Sequence, residues 1–273
     1  MTVAENTASA LIEQLAETWR SIDTLSEGLS NEQWSTPTAC PGWTVADQVA
    51  HVVGTESMLA GESAPTRKPE SEDTAPHVRN DIGRANEQWV TGLQRFSPED
   101  LMREFRRVTS KRLETLRDVP DAKWDEPSWT PVGQDTYRRF MQIRVFDSWV
   151  HEQDMRAALG KAGHADGPAA EQAIDEIERA LGYIVGKRAG APEGSRVTIE
   201  LTGPIHRSIH VSVDGRAAVV PTLSGPADVV VRLSSTSFAA LACGRVDRAD
   251  VAVAIDGDQQ LGERIASNLA FTI

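Results

Sequence analysis

Apolar positions recur at steps of three and four along most of the chain, then give way beyond Gly190 to short, β-branched, partly alternating runs. The first pattern predicts amphipathic helices and the second predicts strands. From about Ala4 to Leu29, the series Leu11, Leu15, Trp19, Ile22, Leu25 and Leu29 predicts a helix. The prolines and glycine of Ser35 to Trp43 predict a loop. Thr44 then opens a second helix that runs through His51 to about Ala60, with Asp47 at a capping-box position more often held by Glu or Gln. Glu62 to Pro76 reads as a long exposed connection. A helix resumes near Val78 and carries Ile82, Trp89 and Leu93. Ser97-Pro98-Glu99-Asp100 starts a basic helix that ends near Asp118. The charge run from Arg103 to Arg117 reads as a solvated face, and Lys123 to Gly133 as a loop whose tryptophans, Trp124 and Trp129, could wall a pocket. A long helix follows from about Thr136 to Leu159, stopped by Gly160.

His164 to Pro168 marks a boundary, after which a helix carries Ile174, Ile177, Leu181 and Ile184. Strands are predicted at Val197–Leu201, Ser208–Val213, Ala218–Pro221, Val229–Leu233 and Val251–Ile255, with a hairpin turn at Asp214-Gly215. Short helices are expected over Ser237–Leu241 and Asp258–Leu269. The fold class expected is α+β, a helical domain over residues 1–165 followed by a small α+β domain over 166–273. A length of 273 residues also favours two cores over one.

Charge narrows the partners. With 40 Asp and Glu against 28 Lys and Arg, the net charge of -12 opposes binding to nucleic acid or an anionic membrane. The N-terminus lacks the succession of a secretory signal, and no apolar run approaches about 18 residues, so a cytoplasmic protein is expected, a monomer or small homo-oligomer. Cys40 and Cys243 are the only cysteines, too few for a disulfide framework or a cysteine zinc knuckle. Thiol chemistry would therefore need a thiol brought from outside, or one of these two.

The long helix carries the candidate chemistry. Asp147 and His151 stand one turn apart on one face, with Arg144 and Asp154 beside them and apolar residues around. A buried ionisable column requires pairing or a metal. Aspartate and histidine four apart, with His51 from the second helix, form a reasonable three-ligand set that leaves a coordination position open. Two imidazoles and a carboxylate suit zinc first, with iron, nickel or manganese as alternatives. The competing reading is a plain Asp147–His151 ion pair with His51 unrelated. His51 shares its face with Asp47, Gln48, Thr55 and Met58, so it either meets solvent or points into a polar cavity.

The segments Cys40-Pro-Gly-Trp-Thr-Val-Ala-Asp-Gln-Val-Ala-His51 and Phe146-Asp-Ser-Trp-Val-His-Glu-Gln-Asp-Met-Arg-Ala-Ala-Leu-Gly160 resemble the mycothiol-dependent maleylpyruvate isomerase family, within the DinB-like metalloenzymes. Ser224–Asp228 and Cys243-Gly244-Arg245 resemble its C-terminal domain, related in fold to sterol-carrier proteins, so the likeness spans nearly the whole chain. The resemblance implies a four-helix bundle with a divalent metal on His51, Asp147 and His151, mycothiol as the thiol cosubstrate, and a small electrophilic substrate such as maleylpyruvate. Asp147 stands where family members often carry glutamate. By the same likeness Arg245 is a candidate to bind a carboxylate of thiol or substrate, against the alternative of a surface arginine in a turn. Asp154 and Arg144 are candidates to orient His151 and Asp147, or members of a helix ion pair. His77, His164, His206 and His210 match no ligand, and Cys40 reads as a packed loop residue. The reaction expected is cis-trans isomerisation or thiol transfer. Metal-assisted hydrolysis and non-catalytic binding of a small ligand are the alternatives.

Overall fold

The structure is a computed structural model that describes residues 7–65 and 77–272. The chain divides into two compact units, Met1–His164 and Ala165–Ile273. Helices of the first unit are α1 (Ala8–Ser26), α2 (Asn31–Trp34), α3 (Val45–Leu59), α4 (Asp81–Leu93), α5 (Pro98–Arg117) and α6 (Tyr137–Leu159). A 3-10 turn over Asp121–Asp125 and a hairpin of β1 (Pro127–Thr130) and β2 (Gly133–Thr136) precede α6.

Four of these helices close a ring, because α1 packs on α6 and α5 while α3 packs on the same two. Leu11, Leu15 and Trp19 from α1, Val49 and Val53 from α3, Phe105 from α5, and Met141 and Val145 from α6 fill its interior. Burying such side chains stabilises the ring by roughly 1.5–3 kcal/mol each. Thr44 caps α3 as its sequence predicts. The Asp47 carboxylate accepts from the Thr44 backbone N–H at 2.8 Å, closing a capping box with aspartate in the glutamate position. The fourth helix of the chain, α4, lies against α3, and at Gly54 a Cβ would come within 2.5 Å of Trp89.

The second unit holds α7 (Gly167–Tyr183), continued by a π turn over Ile184–Arg188, and a five-stranded sheet in the order β5-β4-β3-β6-β7. These strands are β3 (Arg196–Thr202), β4 (Arg207–Asp214), β5 (Arg216–Val220), β6 (Val229–Ser234) and β7 (Ala254–Gly257). Only β3 and β6 pair in parallel. Alternate residues Val197, Ile199 and Leu201 of β3 are buried with Val229, Val231 and Leu233 of β6, the period of two that a packed sheet face requires. α8 (Ser235–Ala242) and α9 (Gln259–Ser267) complete the unit.

The chain is thus α+β, a helical bundle followed by a small mixed domain. Several details differ from the sequence reading. The first helix ends at Ser26, before Gly28 with its left-handed φ of +68°. Ser30 and Gln33 build a capping box for a four-residue helix that the periodicity was too short to reveal. The supposed loop before α6 contains the β1–β2 hairpin, in which Trp129 lies exposed with its edge on Phe140, while Trp124 is fully buried and helps to line a cavity with Ile12 and Leu116. The last strand starts at Ala254, because Arg248–Asp250 form a 3-10 turn. Most of Glu62 to Pro76, and the start of the helix expected from Ala4, lie outside the described residues.

Candidate metal centre

α3 and α6 are neighbours in the ring, and each contributes one polar face to the space between them. His51 comes from α3, with only 3% of its surface exposed, and His151 comes from α6 with 8%. Of the two readings left open for His51, the polar cavity holds and the solvated face does not. His51 Nε2 stands 3.1 Å from Asp147 Oδ2, and His151 Nε2 stands 3.6 Å from Asp147 Oδ1. The two imidazole centroids are 4.4 Å apart. Donor atoms of all three residues lie within 4.8 Å of one another. A tetrahedral zinc with bonds of about 2.0–2.2 Å would space its donors by roughly 3.3–3.6 Å, close to the measured separations. The aspartate, though one methylene shorter than glutamate, therefore reaches both imidazoles.

Charge in the cluster points the same way. Burial pushes the Asp147 carboxyl up, yet the Arg144 guanidinium and the two imidazoles outweigh it and hold the carboxyl well below its ordinary value. Burial also lowers His51, helped by the neighbouring His151 and opposed by Asp147. His151 moves well above its ordinary value, since Asp147 overcomes the cost of burial. Positive charge between two imidazoles is thus favoured at one point, and His51 Nδ1 is buried with no hydrogen-bond partner among the described residues. A divalent cation fits this donor set.

Arg144 and Asp154 both reach the cluster. Arg144 Nη1 donates to Asp147 Oδ2 at 2.5 Å, while its Nε and Nη2 donate to Glu56 Oε1 at 3.0 and 2.7 Å. Glu56 lies on α3 with its side chain 1% exposed, and its Oε2 meets Arg112 Nε at 3.2 Å. Charges of alternating sign therefore run from Arg112 through Glu56 and Arg144 to Asp147. Arg112 is 10% exposed at its side chain, so the basic run on α5 is not wholly a solvated face: one of its arginines turns inward onto a buried acid. Asp154 Oδ2 lies 3.5 Å from His151 Nδ1 and accepts from Cys40 Sγ at 3.2 Å. Cys40, His151 and Asp154 also bring donor atoms close together, but the Gln48 amide oxygen is nearer to His151 Nδ1, at 2.5 Å. That makes the group a hydrogen-bonded shell around His151.

Trp43 covers both imidazoles, with ring centroids 5.3 Å from His51 and 5.9 Å from His151. Its Nε1 donates to Glu87 Oε2 at 3.0 Å, the same oxygen that His77 Nε2 meets at 3.0 Å. Gly42, at φ +81°, lets the loop pass beneath His77, where a Cβ would approach the imidazole to 2.8 Å. Asp147 is the more open member of the cluster, its side chain 28% exposed against 4% for His51 and 10% for His151. Access to the centre therefore lies on the carboxylate side.

Arg245 lies in the second unit, in the turn after α8, where its Nη1 donates to the Cys243 carbonyl oxygen at 2.8 Å. His206 and His210 belong to the same unit, and His210 Nδ1 pairs with Thr198 Oγ1 at 3.0 Å. His164 closes the first unit in a left-handed conformation, φ +50°, with Nδ1 2.6 Å from the buried Glu152. Burial works against its charge, but the hydrogen bond to Glu152 and the nearby Glu17 raise its pKa above the ordinary 6.5. A raised pKa means that protonated His164 stabilises the fold. This contribution is complete below about pH 6.5 and disappears as the pH climbs through the higher folded-state value. The melting temperature of His164→Asn, a residue that tolerates the left-handed region, should fall furthest below that of the parent at pH 6, with the gap narrowing as the pH rises through the folded-state value. A gap that stays constant across this range would remove the titration from the account.

Gln48, Glu56 and Arg112 were not legible as site residues. Gln48 shares the polar face of His51, where sequence alone gives it no partner, and only the packed helices reveal that Glu56 pairs with two arginines.

A ring of helices with two histidines and a carboxylate converging from adjacent members, followed by a small mixed α+β domain, defines a DinB-like bundle fold. The family model described as the mycothiol maleylpyruvate isomerase N-terminal domain matches residues 15–156, and that of the corresponding C-terminal domain matches residues 171–264. The chain belongs to the mycothiol maleylpyruvate isomerase family. An uncharacterised protein of Mycobacterium tuberculosis strain CDC 1551 / Oshkosh is 28% identical over 142 residues, 51% of this chain and 52% of the relative. A protein of strain ATCC 25618 / H37Rv matches with the same identity and coverage. The chain thus spans about half the length of these curated relatives. The crystal structure of the mycothiol-dependent maleylpyruvate isomerase superposes with a TM-score of 0.59 at 18% identity, covering 94% of this chain and 96% of the other. A histidine-to-alanine variant of that isomerase gives 0.57 at 17%, over the same shares. No helix among the described residues is long and apolar enough to cross a membrane.

Proposed function

We propose that this protein is a metal-dependent enzyme that uses a small cytosolic thiol, mycothiol, to isomerise or conjugate a small unsaturated acid of the maleylpyruvate type. The observation that carries this reading is the convergence of two buried imidazole Nε2 atoms on one partly open carboxylate. His51, Asp147 and His151 would hold the cation, zinc by donor set, and Arg144 would fix the carboxylate through Oδ2, the oxygen that meets His51, so that Oδ1 faces His151. The cation, when bound, would lower the pKa of a thiol at its open position, so that the thiol reacts as thiolate.

Within this scheme the residues of the chain do the placing. Trp43 roofs the imidazoles, keeps bulk water off them and leaves the Asp147 side for thiol and substrate to enter. Asp154 holds the far side of His151. Addition of the thiolate sulfur to one carbon of the double bond turns that bond into a single bond, which can rotate. Elimination of the same sulfur then restores the double bond in the trans form, whereas protonation of the adjacent carbon completes a thiol transfer. Arg245 is proposed to bind a carboxylate of thiol or substrate through its guanidinium. The test is turnover of a cis-unsaturated oxo acid by zinc-loaded protein, with and without mycothiol. Consumption that requires the thiol, and yields either trans acid with the thiol regenerated or a thioether adduct, supports the proposal. Turnover at the same rate without thiol would replace it with metal-assisted hydrolysis, and bound lipid with no turnover would replace it with a carrier role.

A further inference from the structure

Gln48 takes no part in the scheme above, yet its side chain is fully buried beside the centre. It lies on α3, one turn before His51. Its Oε1 is 2.5 Å from His151 Nδ1, and its Nε2 donates to Thr38 Oγ1 at 2.6 Å. Which end of the amide is oxygen follows from Thr38. That hydroxyl has one proton, which it donates to the Trp43 carbonyl oxygen at 2.9 Å, so toward its other neighbours it can only accept. It accepts from the Cys40 backbone N–H at 3.3 Å, and the Gln48 group facing it must be the NH2. The Gln48 oxygen is therefore the atom that meets His151, and an oxygen offers no proton.

We propose that Gln48, oriented by Thr38, is a positioning residue that keeps a proton on His151 Nδ1, so that the Nε2 lone pair is presented toward Asp147 and His51. The alternative acceptor, Asp154, lies 3.5 Å from the same nitrogen and is engaged by the Cys40 thiol. An amide partner fixes the ring without adding negative charge behind it. A carboxylate at 2.5 Å would draw the proton and enrich the imidazole, weakening the electron demand of any cation it binds. The loop that carries Trp43 and the tautomer of His151 are thereby joined through three hydrogen bonds. This inference rests on the His51–Asp147–His151 reading for its purpose, but not for its first measurement.

That measurement is the long-range proton–nitrogen spectrum of the metal-free protein at a pH where the imidazole is neutral, with the His151 signals assigned by their loss in His151→Gln. The expected result is a protonated Nδ1 and a bare Nε2. Gln48→Leu should release the tautomer and weaken zinc binding, read by competition with a chelator, by about 10–100-fold. Gln48→Glu, which retains an acceptor, should restore the tautomer and most of the affinity. Thr38→Val should shift both readouts part of the way, and it carries the test if Gln48→Leu does not fold. A proton on Nε2 of the parent protein overturns the proposal, as does a folded Gln48→Leu with unchanged tautomer and affinity. If the parent binds no zinc while the tautomer still depends on Gln48, the positioning role stands and the metal centre falls.

Discussion

Replacing His51 and His151 together with alanine should take bound zinc from one equivalent per chain to none and cut thiol-dependent turnover by about a thousandfold or more. The size follows from the several kcal/mol that a bound cation supplies to a developing charge, with each 1.36 kcal/mol worth about tenfold in rate. Both donors should be removed at once, because a single replacement leaves Asp147 and the other imidazole, a pair that can still hold a cation weakly. Elemental analysis after dialysis reads the first quantity and product formation reads the second. A double variant that retains a full equivalent of metal would place the cation elsewhere.

Glu56→Ala should be the most damaging change to stability in the first unit. Its carboxylate is 1% exposed and accepts from Arg144 through one oxygen while pairing with Arg112 through the other. Deleting it leaves Arg144 with Asp147 as its remaining acid and Arg112 with the Tyr137 hydroxyl, two buried guanidinium groups short of one carboxylate. Breaking a buried pair in this way costs about 3–5 kcal/mol. For a unit of this size that corresponds to a fall in melting temperature of roughly 6–20 °C. Arg144, freed from Glu56, would also lose its fixed approach to Asp147, so the surviving folded protein should bind zinc less tightly. Glu56→Gln, which keeps the shape and one acceptor, should fall between the two. A Glu56→Ala protein that melts within a degree of the parent would show that the arginines find other partners and that the relay is not structural.

What could be read in advance followed the range of the signal. Thr44 and Asp47 announced the start of α3, and Gly160 the end of α6, because capping is decided within one turn. The column of Arg144, Asp147, His151 and Asp154 was legible for the same reason. Its meeting with His51 rested on the family resemblance rather than on phase, since helical phase leaves a polar face free to look outward or inward, and the choice depends on which helix arrives opposite. Arg112 gives the converse case. On α5 it repeats the spacing of exposed neighbours such as Arg103, and its burial is set by an acid more than fifty positions earlier. The β1–β2 hairpin escaped notice because Pro127 to Thr136 offers one large apolar residue on a short ladder, too little alternation to stand out.

All three donors of the proposed centre ride on two rods, α3 and α6, clasped side by side in the ring. The aperture between those rods then gauges ionic radius. A swollen core beneath them would favour manganese over zinc at the proposed centre, so substitutions deep in the apolar packing, far from any ligand, would be a means of retuning which ion such a centre selects.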